Sequence, residues 1–365
     1  MTKIVIEKDH FLQVVPVILD PKTSEEHQQA WVNFFSHDVP DFLGWCRQLQ
    51  GRLPGLFPAE IVFAEDQEDL RRQIVDADGV VVESFRIDEA ELALAKRLVF
   101  VQRFGSVTTN IDVPACVRHG VAVDLIHRRV NIAVAEQAFM LIMAVAKQVG
   151  TLNKLVRAAE LTAAGYELRP YDTRFSGSSN YARIPKLRTL HGATLGVIGM
   201  GEVGREIAYR GAAFGMKVLY TQRNRLPPSD EWPSRATYCS IEDVAAHADY
   251  ITLNLPLTPG TEGIFGKKLF DVMKPGAVLV NVARARLIDR DALMAALESG
   301  RLGGLGLDVG YEEPAREDEA LLNYPNVIYM PHTAIGDRHL ALWDLEEMCL
   351  KMWRGMHRPD RLAGA

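Results

Sequence analysis

Three glycines in the stretch GMGEVG have the spacing of a dinucleotide-binding turn. Gly199, Gly201 and Gly204 form the pattern G-x-G-x-x-G directly after the strand-like run TLGVI, and a helical pattern follows. In this context the first glycine permits a tight turn, and the second lets the backbone approach a pyrophosphate at a helix N-terminus. The third lets the helix pack closely on the strand. The alternative is a glycine turn with a purely structural role.

The next strand, KVLYT, ends without the acidic residue that usually accepts hydrogen bonds from the ribose hydroxyls of NAD. It runs instead into Gln222, Arg223, Asn224 and Arg225. A carboxylate would repel a 2′-phosphate, whereas arginine can fork onto phosphate oxygens. The segment therefore predicts NADP as the preferred cofactor. NAD remains the alternative if the two arginines only belong to a solvated loop.

Composition and charge argue against several other classes of protein. The chain has 365 residues with a net charge of -6, whereas nucleic-acid-binding domains usually carry a basic excess. Charged residues interrupt the apolar N-terminus, which is untypical of a secretory signal, and the longest apolar run, residues 138–146, is shorter than the roughly 20 residues that span a bilayer. The four cysteines form no CxxC pair. We expect no nucleic-acid partner, no membrane partner, no metal site and a cytoplasmic location.

Strand-like runs alternate with helical patterns, which is typical of parallel sheets covered by helices, and the length favours two domains. The strands predicted in the first third are residues 12–19, 60–64, 79–84, 98–104 and 121–125. Residues 22–58 are rich in aromatic residues and prolines and are predicted to be an insertion with irregular helices.

The remainder predicts a second sheet of six short strands. These are residues 194–199, 217–221, 250–256, 277–283, 304–309 and 326–331. Residues 130–149 predict a helix buried on several sides, and residues 165–192 predict a long loop. The amphipathic stretch 337–359 predicts a helix that returns to the first domain.

The stretch from Leu255 to Val309, which contains PLTPGTEG, NVARAR and GLGLDV, resembles the D-isomer-specific 2-hydroxyacid dehydrogenases. The resemblance runs from about residue 60 to the C-terminus and leaves the N-terminal 60 residues atypical. It implies an α/β fold of two doubly wound parallel-sheet domains. A Rossmann NAD(P)-binding domain, residues 128–336, would be inserted into a flavodoxin-like substrate domain, residues 1–127 and 337–365.

The resemblance assigns catalysis to Arg284 in NVAR, Glu313 in YEEP and His332 in MPH. In such a site the protonated histidine gives a proton to a keto oxygen, while the glutamate keeps it charged. The arginine grips the carboxylate and polarises the carbonyl group. A single histidine or arginine after a strand is more often structural, but this ordered set favours catalysis. Ala285 replaces the glycine that usually follows the arginine.

The resemblance also implies cofactor contacts beyond the glycines and the 222–225 segment. The implied residues are Asn131, Glu202, Val203, Leu255, Pro256, Thr261, Val282, Ala283 and Asp308. Of these, Asp308 corresponds to the contact with the nicotinamide carboxamide. The helix 130–149 corresponds to the core of a two-fold dimer in the family, which implies a homodimer.

For the substrate, the family loop G-x-G-x-D-N-I-D corresponds to GSVTTNID, residues 105–112. Gly105 and the backbone amides of Ser106 and Val107 are implied to hold the substrate carboxylate, with Phe85 forming an apolar wall. Glu83 stands where phosphoglycerate dehydrogenases have arginine and would repel a phosphorylated substrate, although Arg86 and Arg103 lie nearby in sequence.

Glu313 replaces the glutamine of formate dehydrogenases and favours keto-acid reduction. The expected substrate is a small 2-keto acid of the glyoxylate or hydroxypyruvate type. Two alternatives stay open at this point. One is a dinucleotide-sensing, corepressor-like binding protein of the same fold, and the other is an NAD-dependent family member that acts on an unusual 2-hydroxy acid.

Overall fold

The computed structural model describes residues 1–357, and it divides the chain into two compact units. Unit 1 comprises Met1–Val130 and the segment from Ile335 onward, and unit 2 comprises Asn131–Ala334. The domain boundaries predicted from the sequence were 127/128 and 336/337. Residues 358–365, which that prediction placed in the substrate domain, lie outside the described residues.

Unit 1 contains a five-stranded parallel sheet in the order β2-β1-β3-β4-β5. The strands are β1 (Thr2–Glu7), β2 (Ala59–Ala64), β3 (Gly79–Val82), β4 (Phe100–Arg103) and β5 (Ala122–Leu125). This order is that of flavodoxin-like domains, as predicted. Four of the strands coincide with predicted runs, but β1 was not among the predicted strands.

The prediction of a strand at residues 12–19 was wrong. Leu12–Val14 form a 3-10 helix and α1 covers Val15–Leu19, all of them buried apart from partial exposure of Gln13. Pro16 occupies the first turn of α1, where its missing N–H costs nothing, whereas in an internal strand it would remove a ladder hydrogen bond. Asp9 caps the start of this segment by accepting from the amides of Phe11 and Leu12.

The insertion at residues 22–58 is more regular than predicted. It contains α2 (Glu25–Phe35) and α3 (Phe42–Gln50), and each begins with a side-chain cap, from Ser24 and Asp41 respectively. The rings of Phe35 and Phe42 stack 4.6 Å apart in the core of unit 1. The aromatic residues that set this segment apart in sequence therefore build the domain interior.

The remaining helices of unit 1 cover the sheet. They are α4 (Gln67–Gln73), α5 (Glu89–Leu94), α6 (Val113–Arg118) and, near the C-terminus, α15 (His339–Met356). As predicted, α15 packs on the first domain, where Leu345, Met348 and Met352 join the same buried cluster as Ile4 and Phe100.

Unit 2 contains a seven-stranded parallel sheet in the order β12-β11-β10-β9-β6-β7-β8. The strands are β6 (Thr194–Ile198), β7 (Lys217–Thr221), β8 (Thr237–Tyr238), β9 (Tyr250–Leu253), β10 (Ala277–Asn281), β11 (Leu302–Leu307) and β12 (Val327–Tyr329). Counted from β6, the order is that of a Rossmann fold with one further strand. The sequence predicted six of them and missed the two-residue strand β8.

The helices of unit 2 follow the strands in alternation. They are α8 (Val149–Leu152), α9 (Ala158–Ala163), α10 (Glu202–Ala213), α11 (Pro228–Glu231), α12 (Ile241–His247), α13 (Lys267–Val272) and α14 (Arg290–Glu298). Residues 165–192 contain no helix or strand, in agreement with the predicted loop.

Helix α7 (Arg129–Ala146) connects the two units along the chain. By length and composition alone it could cross a membrane, but half of its residues are buried inside the protein. Leu141 and Val145 pack onto β11 at Gly306 and Gly304, where a larger residue would collide with them. Packing against the sheet thus accounts for the apolar residues on the buried side of α7.

Candidate active site

The glycine turn has the geometry that its sequence predicts. Gly199 has a φ of +93°, and a Cβ there would lie 2.5 Å from the carbonyl oxygen of Asn254. A Cβ on Gly204 would lie 2.1 Å from the carbonyl oxygen of Gly199. Gly201 is the N-cap of α10, and no atom lies within 4 Å of the place where its Cβ would be. Open space in front of a helix N-terminus fits a pyrophosphate.

Glu202 and Asn131, two of the implied cofactor residues, contact each other. The side-chain amide of Asn131 donates a 2.5 Å hydrogen bond to Glu202 in the first turn of α10. Asn131 is buried, and Val203 packs on the hydrophobic core. Asn131 therefore orients the carboxylate beside the glycine turn.

The loop after β7 separates the two arginines that the sequence treated alike. Arg225 is engaged by Glu231 of α11, with Nε–Oε1 and Nη2–Oε2 distances of 2.9 Å. Arg223 is exposed and, within residues 1–357, makes no hydrogen bond or ion pair. Gln222 donates to the carbonyl oxygen of Asn224 at 2.6 Å. Glu231 therefore engages Nε and Nη2 of Arg225, and the assignment of both arginines to the cofactor stays a prediction.

The other implied cofactor residues follow β9 and β10, on the same edge of the sheet. After β9, the hydroxyl of Thr261 donates to the carbonyl oxygen of Pro256 at 2.7 Å and closes the turn that begins near Leu255. After β10, the amide of Ala283, next to Val282, donates to the side chain of Asn281 at 3.0 Å. These bonds shape two loops at the carboxyl ends of strands, where open α/β sheets bind ligands.

Three adjacent strands carry the predicted triad. Asn281, Leu307 and Tyr329, the last residues of β10, β11 and β12, are aligned partners in neighbouring pairs of strands. Arg284 follows β10 and His332 follows β12, while the chain after β11 supplies Glu313. The parallel register thus brings residues that are distant in sequence to one edge.

The side chains of Glu313 and His332 meet directly. Nδ1 of His332 lies 2.8 Å from Oε2 of Glu313, while Oε1 of Glu313 accepts from the amide of Gly310 at 2.8 Å. An ionised carboxylate can only accept, so Nδ1 carries the hydrogen. Within residues 1–357, Nε2 of His332 makes no hydrogen bond, and its side chain is 45% exposed. Nε2 is therefore the atom that can exchange a proton with a ligand.

The surroundings of Glu313 favour its charged form. Partial burial raises the pKa of Glu313. The hydrogen bonds from His332 and Gly310, together with the nearby positive charge of Arg284, lower this pKa by more than burial raises it. The net pKa lies below the ordinary value. A cavity of about 430 Å³ adjoins the pair, with a lining of Gly310, Glu313, Pro314, Ala315, Leu322, Tyr329, Met330, Pro331 and His332.

Asp308, the predicted contact to the nicotinamide, is fully buried and holds the histidine loop. Its carboxylate accepts from the amides of Thr333 at 3.0 Å and Ala334 at 2.9 Å, and from the side chain of Gln137 at 2.7 Å. His332 has a φ of +54°, a conformation that costs about 1–3 kcal/mol for a residue with a side chain. The bonds to the next two amides explain how this turn is retained.

Arg284 is exposed, and within residues 1–357 its guanidinium has one protein acceptor, the carbonyl oxygen of Ala283 at 2.7 Å. Its own carbonyl oxygen accepts from Asn281 at 2.8 Å. The backbone is thus fixed while most of the guanidinium donors stay available to an anionic ligand. Alanine at 285 is accommodated as the start of a 3-10 helix, Ala285–Leu287.

The predicted substrate-binding residues Phe85, Gly105, Ser106 and Val107 belong to unit 1, where hydrogen bonds fix the backbone at Phe85 and Gly105. The carboxylate of Glu7, at the end of β1, accepts from the amides of Glu83, Ser84 and Phe85 at 2.7–2.9 Å. Gly105 accepts from the amide of Ile126. These bonds fix the carboxyl ends of β3 and β4.

The flanking residues of this loop are also held. Arg103 donates to the carbonyl oxygen of Val107 at 3.0 Å, Ser106 is exposed and Val107 is half-buried. Glu83 lies 3.2 Å from Arg128. Burial raises the pKa of Glu83, while Arg128 opposes that rise. The ion pair weakens the predicted repulsion of a phosphorylated substrate.

Sequence reasoning missed Glu7, Gln137 and Glu231, which position the predicted site residues. Glu7 and Gln137 have a signal in the sequence, which marks a polar residue in an apolar run but does not identify its partner. Glu7 ends an apolar strand, and Gln137 interrupts the apolar stretch AVAEQAFMLIMAVA of α7. A polar residue in such a run is buried at a cost unless it has a partner.

A sequence model of the family described as "D-isomer specific 2-hydroxyacid dehydrogenase, NAD binding domain" matches residues 139–334. The chain belongs to the D-isomer-specific 2-hydroxyacid dehydrogenases. It is therefore an oxidoreductase with a nicotinamide dinucleotide cofactor.

Individual members of this dehydrogenase family are similar over most of the chain. The 4-methyl-2-oxopentanoate reductase A of Aspergillus oryzae is 38% identical over 67% of this chain and 68% of its own length. The glyoxylate reductase of Pyrococcus furiosus is 34% identical over 73% and 75%. The crystal structure of a glyoxylate reductase from Paecilomyes thermophila superposes with a TM-score of 0.57 at 25% identity, covering 98% of this chain and 96% of that one.

Proposed function

We propose that this dehydrogenase reduces a small, unphosphorylated 2-keto acid to a D-2-hydroxy acid, with NADPH as the preferred reductant. The observation that carries the proposal is the Glu313–His332 pair, in which Nδ1 is committed to the carboxylate and Nε2 is free of protein partners within residues 1–357. A histidine in this state can act as a general acid toward a carbonyl oxygen.

When bound, a reduced nicotinamide supplies the hydride that adds to the carbonyl carbon. As the C=O π bond breaks, Nε2 of His332 donates its proton to the oxygen, and the resulting neutral imidazole stays oriented by Glu313. The guanidinium of Arg284 pairs with the substrate carboxylate and polarises the carbonyl group. In the reverse direction His332 accepts the hydroxyl proton.

Several residues would hold the cofactor. The turn at Gly199, Gly201 and Gly204 suits the pyrophosphate, and the loops after β9 and β10 suit the nicotinamide half. Arg223 is the group proposed to bind the 2′-phosphate, because it is exposed and has no protein partner within residues 1–357. No carboxylate in the 222–225 segment opposes this charge.

The small-substrate part of the proposal rests on unit 1. The amides of Ser106 and Val107, next to Gly105 in the chain, are the proposed donors to the substrate carboxylate. Phe85 is the proposed apolar wall, and the Val107 side chain is proposed to limit the size of the substrate. The glyoxylate reductases among the relatives support this size class. The 4-methyl-2-oxopentanoate reductase among them makes a branched keto acid the natural competitor.

The test measures kcat/KM from NADPH absorbance for glyoxylate, hydroxypyruvate, 4-methyl-2-oxopentanoate and 3-phosphohydroxypyruvate, each repeated with NADH. We expect the highest values for glyoxylate or hydroxypyruvate with NADPH. A clear preference for the phosphorylated acid, or for NADH, would contradict the corresponding part of the proposal. Turnover of none of these acids would contradict the assignment as a small 2-keto acid reductase.

We also propose that the chain forms a homodimer. Large apolar side chains are exposed along the second unit between residues 140 and 187, among them Val149, Val156 and Phe175 at 50%, 67% and 85% exposure. They lie within one stretch of the chain, and a contiguous exposed apolar patch formed by such residues would mark an interface. Light scattering after size exclusion should give twice the mass of the chain, and a monomer at micromolar concentration would contradict the proposal.

A further inference from the structure

The loop after β7 is anchored by a buried hydroxyl and a carboxylate that the catalytic mechanism does not use. Tyr220, in β7, is fully buried, and its hydroxyl donates to Oε1 of Glu231 at 2.6 Å. The same hydroxyl accepts from the amide of Leu226 at 2.9 Å, at the far end of the loop. One phenol therefore joins the strand, the loop and α11.

Arg225 completes this arrangement, since both of its forked hydrogen bonds go to Glu231. The hydrogen bonds from Arg225 and from Tyr220 lower the pKa of Glu231 to about 2, so it stays ionised across the physiological range. Glu231 is only 8% exposed. A buried carboxylate of this kind needs its partners, and removing one leaves an unpaired charge.

The start of the loop and the neighbouring helix are held as well. The hydroxyl of Tyr238 donates to the carbonyl oxygen of Gln222 at 3.1 Å. Asp230, next to Glu231, pairs at 2.9 Å with Arg205, which belongs to the first turns of α10. Helix α11 is thereby tied both to the loop and to the helix that begins at the glycine turn.

Within this fixed loop, Arg223 differs from its neighbours. It lies between two anchored positions, Gln222 and Arg225, yet within residues 1–357 its guanidinium contacts no protein acceptor. A rigid backbone that presents one uncommitted arginine lowers the entropy lost when that arginine binds a phosphate.

We infer that Glu231 is a positioning residue for cofactor choice: by holding Arg225 and Tyr220 it fixes the loop that presents Arg223 to the 2′-phosphate of NADP. The inference rests on the proposed NADP preference and adds that a carboxylate sustains it. Glu231 is not the ribose acceptor of an NAD site, because Tyr220 and Arg225 already occupy both of its oxygens.

The first test is binding without turnover. Calorimetry would compare adenosine 2′,5′-bisphosphate with 5′-AMP for the wild type and for Arg223→Ala, Arg225→Met and Glu231→Gln. We expect each variant to lose about tenfold in affinity for the bisphosphate, as for loss of one charge-assisted contact, with AMP binding unchanged. Arg225→Met combined with Glu231→Gln should be no worse than either alone, because the two residues act as one unit.

Steady-state kinetics supply the second readout. In the same variants the KM for NADPH should rise more than the KM for NADH does. Asp271→Asn is the matched control, because Asp271 forms an exposed ion pair with Lys267 on α13 and lies outside the proposed site. If Glu231→Gln fails to fold, Tyr220→Phe removes only one hydroxyl from the same arrangement and should shift bisphosphate affinity in the same direction.

The outcomes separate this inference from the proposed function. If Arg223→Ala weakens bisphosphate binding but Glu231→Gln and Arg225→Met do not, the positioning role is wrong and NADP preference stands. If Arg225→Met weakens binding and Glu231→Gln strengthens it, Arg225 is itself the phosphate ligand, and the inference is overturned. If the wild type binds both nucleotides equally, the NADP preference fails and the inference fails with it.

Discussion

Glu313 and His332 come from segments that follow β11 and β12, and Oε2 of the glutamate lies 2.8 Å from Nδ1 of the histidine. The carboxylate therefore sets which nitrogen faces outward. Because Asp308 separately holds the amides of Thr333 and Ala334, the orientation of the imidazole has two independent supports. Mutations at these positions should therefore have distinguishable effects.

Replacing His332 with alanine should abolish turnover and leave the cofactor bound. The side chain supplies the proton, and loss of general acid catalysis lowers kcat by roughly 10²–10⁴-fold. The measurement is kcat with a saturating 2-keto acid, together with NADPH affinity from nucleotide fluorescence. A variant that kept wild-type kcat would remove His332 from the mechanism.

Glu313→Gln should lower the kcat/KM of reduction and remove the acid limb of its pH profile. The pKa of Glu313 is below its ordinary value of 4.5, so its interaction with His332 is present above that pH and is lost as the pH falls through the lower, folded-state value. The kcat/KM of the wild type should therefore fall as the pH falls through the folded-state pKa of Glu313, because protonation ends the ion pair with His332. The variant has no carboxyl group at this position, so its kcat/KM should be lower and should show no such fall in the same pH window. An acid limb that persists unchanged in the variant would contradict this role of Glu313.

Asp308→Asn should lower both stability and turnover. An asparagine amide cannot accept from the two backbone amides and Gln137 as a carboxylate does, which leaves buried donors unsatisfied at a cost of about 1–3 kcal/mol. Gln137→Met removes one of these donors and should have a smaller effect on both quantities. Urea unfolding and kcat are the measurements. A variant with lower stability but wild-type kcat would show that the histidine turn does not depend on Asp308.

Tyr220→Phe should remove an alkaline component of stability. Burial, with the hydrogen bond to Glu231, raises the pKa of Tyr220 to about 12 from an ordinary value of 10.0. A raised pKa means that the stabilisation is fully present below pH 10.0 and is lost as the pH rises through about 12. The free energy of unfolding of the wild type should therefore fall over this window more steeply than that of Tyr220→Phe. Parallel pH profiles would contradict the assignment of the phenol as a neutral donor.

Local patterns predicted the strands and glycines well because these depend on neighbours in the chain. The buried runs at β3, β4, β9 and β10 are short and apolar and are bounded by turn residues, a pattern that is typical of buried strands. The short apolar run at residues 12–19 fits a buried helix as well as a strand. Pro16 favours the helix, because a proline in the first turn loses no hydrogen bond, whereas in an internal strand it would. Strand β8 has only two residues and carries no periodicity.

The residues that act through others could not be located from local patterns. Gln137 and Asp308 are 171 positions apart, and Glu7 and Phe85 are 78 apart. Nothing in the sequence distinguishes Arg223 from Arg225, because both are arginines in the same short segment after β7. Only the position of Glu231 distinguishes them.

By itself, the sequence indicated the alternation of strands and helices and the glycine turn, since these follow from residue type, periodicity and spacing along the chain, and its resemblance to the family assigned the candidate catalytic side chains. The tertiary structure decided which polar groups are committed to the protein and which remain open to a ligand. Hydrogen bonds and ion pairs form between whatever groups the fold brings within about 3 Å, and the register of parallel strands makes those groups neighbours regardless of their distance in sequence.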